Sequence, residues 1–279
     1  MNMATVAVPG VDLVVREWGS ENERALVFWP WLNPWGSLQL VEVGPLLARR
    51  GFRVLSIAAP GAGETPALGD PKAYRPTRLA QLVVAAADSF GLDRFGYMGA
   101  SWGASIGVHL AVRSRKRVEA LVLLDAGHTD VASERTLAEW EQQVEADQGQ
   151  FAFESWEAYF DWVRSRVRAW RPALDARYRT AMIERDGRIV ARADARSAAW
   201  ALHGVAIEPP SSTHARLGEL GLPILLLLAA DAEGTDASEQ FQALVPQAQL
   251  RVLEAGHDIV EDQPEQLAGL VASWLSAPR

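Results

Sequence analysis

Along the chain, short runs of consecutive apolar residues alternate with longer stretches in which apolar positions recur every three or four residues. The runs DLVVREWG, ALVFW, RVLSIAA, FGYMG, ALVLLD, PILLLLA and LRVLEA read as strands. Several hold no polar residue, as in strands covered on both faces. The stretches SLQLVEVGPLLARRG, RLAQLVVAAADSFG, ASIGVHLAVRSR and PEQLAGLVASWLSA carry helical spacing. Gly51 and Gly91 stand just past two helix ends, where a left-handed residue closes the last turn. Such alternation predicts a parallel sheet with helical crossovers. From about Gly127 to Gly221 no strand is predicted, and the segment reads as a helical insertion carrying Trp140, Trp156, Trp162, Trp170 and Trp200. Its end, VAIEPPSSTHARLGEL, punctuated by Pro209 and Pro210, reads as a return linker.

Composition narrows the class. A chain of 279 residues, 49% of them hydrophobic, predicts a single α/β domain with an inserted lobe. The net charge of −8 leaves no concentrated basic surface for a phosphate backbone, so nucleic acid is not an expected partner. Small neutral or apolar molecules fit better. The arginine-rich runs RSRKRV (Arg113 to Val118) and RSRVRAWRPALDARYR (Arg164 to Arg179) read as solvated helix faces. The absence of cysteine excludes disulfides, a thiolate nucleophile and a cysteine metal site. The N-terminus carries no leader pattern, and the longest apolar run, LPILLLLAA, falls short of the ~20 residues a membrane helix needs. A soluble, cytoplasmic protein without a membrane partner is therefore the expectation. The five histidines are too scattered for a metal ligand set, and GAGET lacks the lysine and spacing of a phosphate-binding loop. No metal or cofactor is expected.

The candidate chemistry lies in MGASWGASIG. A nucleophilic serine in a parallel sheet must project past a strand end. The turn into the following helix is so tight that residues two positions either side have no room for side chains, which yields G-x-S-x-G. Gly99, Ser101 and Gly103 meet that spacing, with a strand before and a helix after. The hydroxyl needs a base. Of the histidines, His109 falls inside the following helix, and His203 and His214 lie in the insertion or its linker. His128 follows a strand end in LLDAGHTD, a candidate pocket position. His257, in RVLEAGHDIVEDQPEQLA, stands after the last strand and before the last helix, with Gly256 permitting a sharp loop toward the serine turn.

With these elements in place the sequence resembles the α/β-hydrolase-fold superfamily, in the branch with a helical cap. GASWG is similar to its nucleophile elbow, and AGHDIVEDQPEQLA to its histidine loop and final helix. The resemblance implies a mostly parallel eight-stranded α/β sheet with helices on both faces and a cap inserted after strand 6. The core would comprise residues 1–126 and 221–279, and the cap residues 127–220. It further implies a triad acid after the sixth or the seventh strand. Asp125 is somewhat favoured over Asp231, where LLLLAADAEGTD departs from the family's G-x-x-D pattern. Two backbone N–H groups would receive the developing oxyanion, those of Trp102 and Trp31. Trp29 and Pro30 replace the family's His-Gly pair before Trp31. In SIAAPGAGET, Ala58 and Thr65 occupy positions of a structural turn.

Serine where dehalogenases of the family carry aspartate implies acyl chemistry. The aromatic residues Trp29, Trp35 and Trp102, together with His128, would wall a dry pocket for a hydrophobic carboxylic ester or lactone. Alternatives are a proline-iminopeptidase-like aminopeptidase, with Glu139, Glu141 and Glu145 as candidate amine-holding carboxylates, a C–C bond hydrolase, and a ligand-binding member without catalysis.

Overall fold

A computed structural model describes residues 1–32, 36–131, 134–149, 151–230 and 236–277. The chain runs through β1 (Asn2–Val8), β2 (Val11–Trp18), β3 (Arg24–Trp29), α1 (Val43–Ala48), β4 (Phe52–Ile57), α2 (Pro76–Ser89), β5 (Phe95–Ala100), α3 (Trp102–Arg113) and β6 (Val118–Leu124). It continues through α4 (Leu137–Gly149), β7 (Ala152–Phe153), α5 (Trp156–Arg164), α6 (Ala173–Thr180), β8 (Met182–Arg185), β9 (Arg188–Ala191), α7 (Ala195–Ile207) and α8 (Ser211–Glu219). β10 (Ile224–Ala229), α9 (Asp236–Leu244), β11 (Ala248–Leu253), α10 (Ile259–Asp262) and α11 (Pro264–Ser276) follow.

Eight strands form one sheet in the order β1-β2-β4-β3-β5-β6-β10-β11. β1–β2 and β2–β4 pair antiparallel, and the other neighbours pair parallel. Because side chains alternate across a strand, one strand feeds two cores. Val27 and Trp29 of β3 join the cluster built with α2 and α3, whereas Leu26 and Phe28 join the cluster built with α1 and α11. Helices therefore cover both faces. β1, which shows no apolar run, takes an edge position where its burial merely alternates. No helix among the described residues is long and apolar enough to cross a membrane.

β6 and β10 lie side by side, so the residues between them leave the sheet and return to the neighbouring position. This segment departs from the strand-free expectation. β7, β9 and β8 form a small antiparallel sheet, and the β8–β9 hairpin turns at Asp186 and Gly187, both at positive φ (51° and 73°). Asp-Gly between alternating residues is a strong hairpin signal, since both turn positions favour left-handed backbone. The return linker is also corrected, because α8 occupies most of it. Pro209 and Pro210 separate α7 from α8 rather than leading directly into a strand. Asp130 receives the Ser211 N–H (3.0 Å) and hydroxyl at the start of α8, and Leu217 is fully buried. A third correction concerns the second arginine run. Arg177 is 1% exposed and Arg171 is held by Glu42 at 2.6 and 2.8 Å, so this part is no solvated face.

Candidate active site

β5 is buried along its whole length and delivers Ser101 to the C-terminal edge of the sheet. Ser101 has φ 49° and ψ −112°, a conformation that L-residues avoid and that a strained strand-to-helix turn imposes. Its backbone is held firmly: the N–H donates to Leu124 O at 2.8 Å, and the carbonyl accepts from Ala104 N (2.9 Å) and Ser105 N (3.2 Å). The flanking glycines are steric necessities. A Cβ on Gly99 would stand 2.3 Å from Gly103 O, and one on Gly103 would stand 2.3 Å from Trp29 O. Backbone atoms cannot swing aside, so Gly103→Ala is expected to cost about 2–4 kcal/mol. Gly269→Ala in α11, where a Cβ meets nothing within 4 Å, is expected to gain about 0.5–1 kcal/mol. Urea denaturation of the two variants checks both signs.

Ala100 of β5 pairs with Leu124 of β6, so Ser101 and Asp125 leave adjacent strand ends. Asp125 also has positive φ, 51°, and its N–H donates to Leu227 O at 2.8 Å. The carboxylate is tied at both oxygens. Oδ1 accepts from Ala229 N at 2.9 Å, and Oδ2 accepts from His257 Nδ1 at 2.6 Å. Burial pushes the Asp125 carboxyl up, but the hydrogen bonds from His257 and Ala229 outweigh it and hold it below the usual carboxylate range. The bond to Asp125 correspondingly raises His257 against the opposing effect of its partial burial. The Nδ1 hydrogen bond leaves Nε2 as the nitrogen able to accept a proton. His257 follows β11, and its ring stands edge-on to Trp31 with centroids 5.7 Å apart. The sequence-derived alternative acid, Asp231, lies outside the described residues, as does Trp35.

Trp102 opens α3, so its backbone N–H has no acceptor within the helix and is available beside Ser101. The Trp31 N–H donates to Gln39 Oε1 at 3.2 Å, so a substrate oxygen there would have to share or displace that bond. Beyond Trp102 lies an apolar cavity of about 290 Å³. Leu32, Pro60 and Ala62 border it from the sheet side, and Phe153, Trp162, Tyr178 and Met182 from the inserted segment. Ser101 is not itself on the wall; its neighbour Trp102 is. Trp29 and His128, expected on the pocket wall, do not border the cavity either. Trp29 is fully buried and packs edge-on against Trp102 with centroids 5.7 Å apart. His128 is 7% exposed, and burial lowers its pKa.

Sequence reasoning missed a charged cluster behind the histidine loop. Arg177 bonds the Asp258 carboxylate and stands 3.4 Å from Glu261 Oε2, while Tyr178 donates to Glu261 Oε2 at 2.8 Å. The acidic residues of HDIVED were visible in the sequence, but nothing local distinguishes them from a solvated turn. Among the described residues no group of three or more His, Asp or Glu is arranged to hold a metal ion.

The comparisons agree with this architecture. No curated protein matches the sequence. Among solved structures, a thioesterase domain from the curacin biosynthetic pathway superposes with a TM-score of 0.79 at 17% identity, covering 97% of this chain and 99% of that one. E-2-(acetamidomethylene)succinate hydrolase gives 0.78 at 20% identity, covering 99% of each chain. The enol-lactonase of Burkholderia xenovorans LB400 gives 0.71 at 17%, covering 98% and 100%. At such identities the likeness speaks for the fold. The sequence model of the alpha/beta hydrolase fold matches residues 31–264, most of the chain, and the protein therefore belongs to the alpha/beta hydrolase fold family.

Proposed function

We propose that the protein is a serine hydrolase that cleaves a hydrophobic carboxylic ester or lactone through an acyl-enzyme. Ser101 attacks the carbonyl, His257 Nε2 takes the hydroxyl proton and returns it to the leaving alcohol, and Asp125 fixes the tautomer. Water then releases the acid. The observation that carries this reading is the strained Ser101 beside the 2.6 Å Asp125–His257 pair at one edge of the sheet. Residues 127–220 act as the cap over that edge, and the apolar cavity receives the acyl group. A cavity of ~150 Å³ holds a benzene ring, so 290 Å³ suits a bicyclic aromatic group or a chain of roughly eight to ten carbons.

Two measurements test it. A fluorophosphonate probe is expected to label Ser101, with loss of labelling after heat unfolding, and p-nitrophenyl esters are expected to show kcat/KM rising from acetate to octanoate. An inert Ser101 in the folded protein overturns the reading. In pH dependence, neutral His257 is the active form, and its pKa is raised by Asp125. Activity is therefore expected to fall as pH drops through a midpoint above the ordinary histidine value of about 6.5.

A second reading is favoured by the bond between Trp31 N and Gln39 Oε1: a ligand-binding protein whose oxyanion site is closed. Retained binding of an apolar ester, without labelling or turnover, separates it from the first. The aminopeptidase alternative gains nothing. Asp194, the carboxylate on the cavity wall, caps α7 through Arg196 N at 2.8 Å, and Glu141 is held by Trp200 Nε1 at 2.6 Å.

A further inference from the structure

α6 carries a guanidinium that is 1% exposed. Removing such a charge from water costs several kcal/mol unless good partners replace the solvent, and an apolar contact would dock the segment as well. Its partners are specific. Asp258, immediately after His257, bonds Arg177 with one carboxylate oxygen. With the other it accepts from Glu261 N at 3.1 Å, capping α10. Glu261 stands 3.4 Å from the same guanidinium. On the near side of His257, Gly256 N donates to Asp262 Oδ2 at 2.7 Å. The loop bearing the imidazole is thus pinned on both sides, once from within and once from the inserted segment. The next residue of α6, Tyr178, both borders the apolar cavity and donates to Glu261. A single helical turn touches the cavity and the histidine loop together.

We propose that Arg177 is a positioning residue for His257, acting through Asp258, so that correct seating of residues 127–220 and presentation of the imidazole are one event. The proposal rests on the reading of His257 as the base. It has an electrostatic corollary. The charged groups around the imidazole are Asp125 and Asp258, with His128 beside Asp125. Behind them lie Arg177, Glu261, Asp262 and the Arg171–Glu42 pair. Asp258 raises His257, and Arg177 offsets that carboxylate. Loss of the arginine is expected to raise the histidine further, and loss of the Asp258 charge to lower it.

The test is an NMR titration of the His257 imidazole in the full chain, which needs no substrate. Arg177→Met is expected to raise the midpoint by roughly half a unit and Asp258→Asn to lower it by a similar amount. The double variant returns it to the starting value, and Arg177→Lys restores most of the effect. In parallel, Arg177→Met is expected to lower kcat for an octanoyl ester about 10- to 100-fold and to raise KM by a much smaller factor, because the base is misplaced while the turn of α6 that lines the cavity through Tyr178 is loosened with it. Should Arg177→Met fail to fold, the near-isosteric Asp258→Asn carries the same test. Unmoved midpoints together with wild-type kcat in the folded variants overturn the proposal. Shifted midpoints in a protein whose Ser101 is inert to the phosphonate leave the positioning role standing and remove the hydrolase reading instead.

Discussion

Ser101→Ala is expected to lower kcat for a p-nitrophenyl ester by about 10⁴-fold or more, because it deletes the atom that bonds to the carbonyl carbon and leaves only binding and oxyanion stabilisation. A companion variant makes the prediction more discriminating. At φ 49° and ψ −112° an L-residue carries roughly 1–3 kcal/mol of backbone strain, which glycine escapes. Ser101→Gly is therefore expected to abolish turnover and yet raise the midpoint of thermal unfolding. A serine present only for packing would show no such opposition. Paired kinetic and calorimetric measurements decide between the two, and a Ser101→Gly protein that turns over at the wild-type rate rejects the nucleophile.

The elbow and the histidine loop were legible in the sequence for a local reason. Gly99 is demanded by a clash within five residues, with Gly103 itself. Although Gly103 is demanded by the distant Trp29 carbonyl, any elbow that packs a helix against the neighbouring strand needs it, so the spacing carries the geometry. The position of His257 after the last strand follows from chain order. Other features depend on contacts between distant residues. Arg177 looks like any arginine of a polar helix until the fold brings Asp258, 81 residues away, against it. Trp29 looks like a pocket residue because it stands with Trp31 and Trp35 at the strand end expected near the serine turn. Its place at the buried end of β3, behind Trp102, is set by the close approach of α3 to that strand. The Asp186-Gly187 hairpin is the opposite case. Its signal was local and plain, and it was obscured by the helical stretches around it.

Both candidate acids follow apolar strands, so the sequence favours Asp125 only slightly; strand register brings Asp125 Oδ2 to 2.6 Å from His257 Nδ1, while Asp231 lies outside the described residues. Asp125→Asn is expected to lower kcat about 10⁴-fold with little loss of stability. The Ala229 N–H, 2.9 Å from Oδ1, would keep that oxygen as acceptor in the asparagine, so the new amide NH₂ takes the Oδ2 position facing His257 Nδ1. A donor there cannot accept the Nδ1 proton and forces the imidazole into the tautomer with Nε2 protonated. That tautomer cannot receive the serine proton. Because the carboxylate is what raises His257, the residual activity of the variant is expected to show its acid limb displaced to lower pH. Asp231→Asn should leave both kcat and the limb close to wild type. The reverse pattern, with the loss carried by Asp231, would strip Asp125 of its role and make the 2.6 Å contact a structural bond alone.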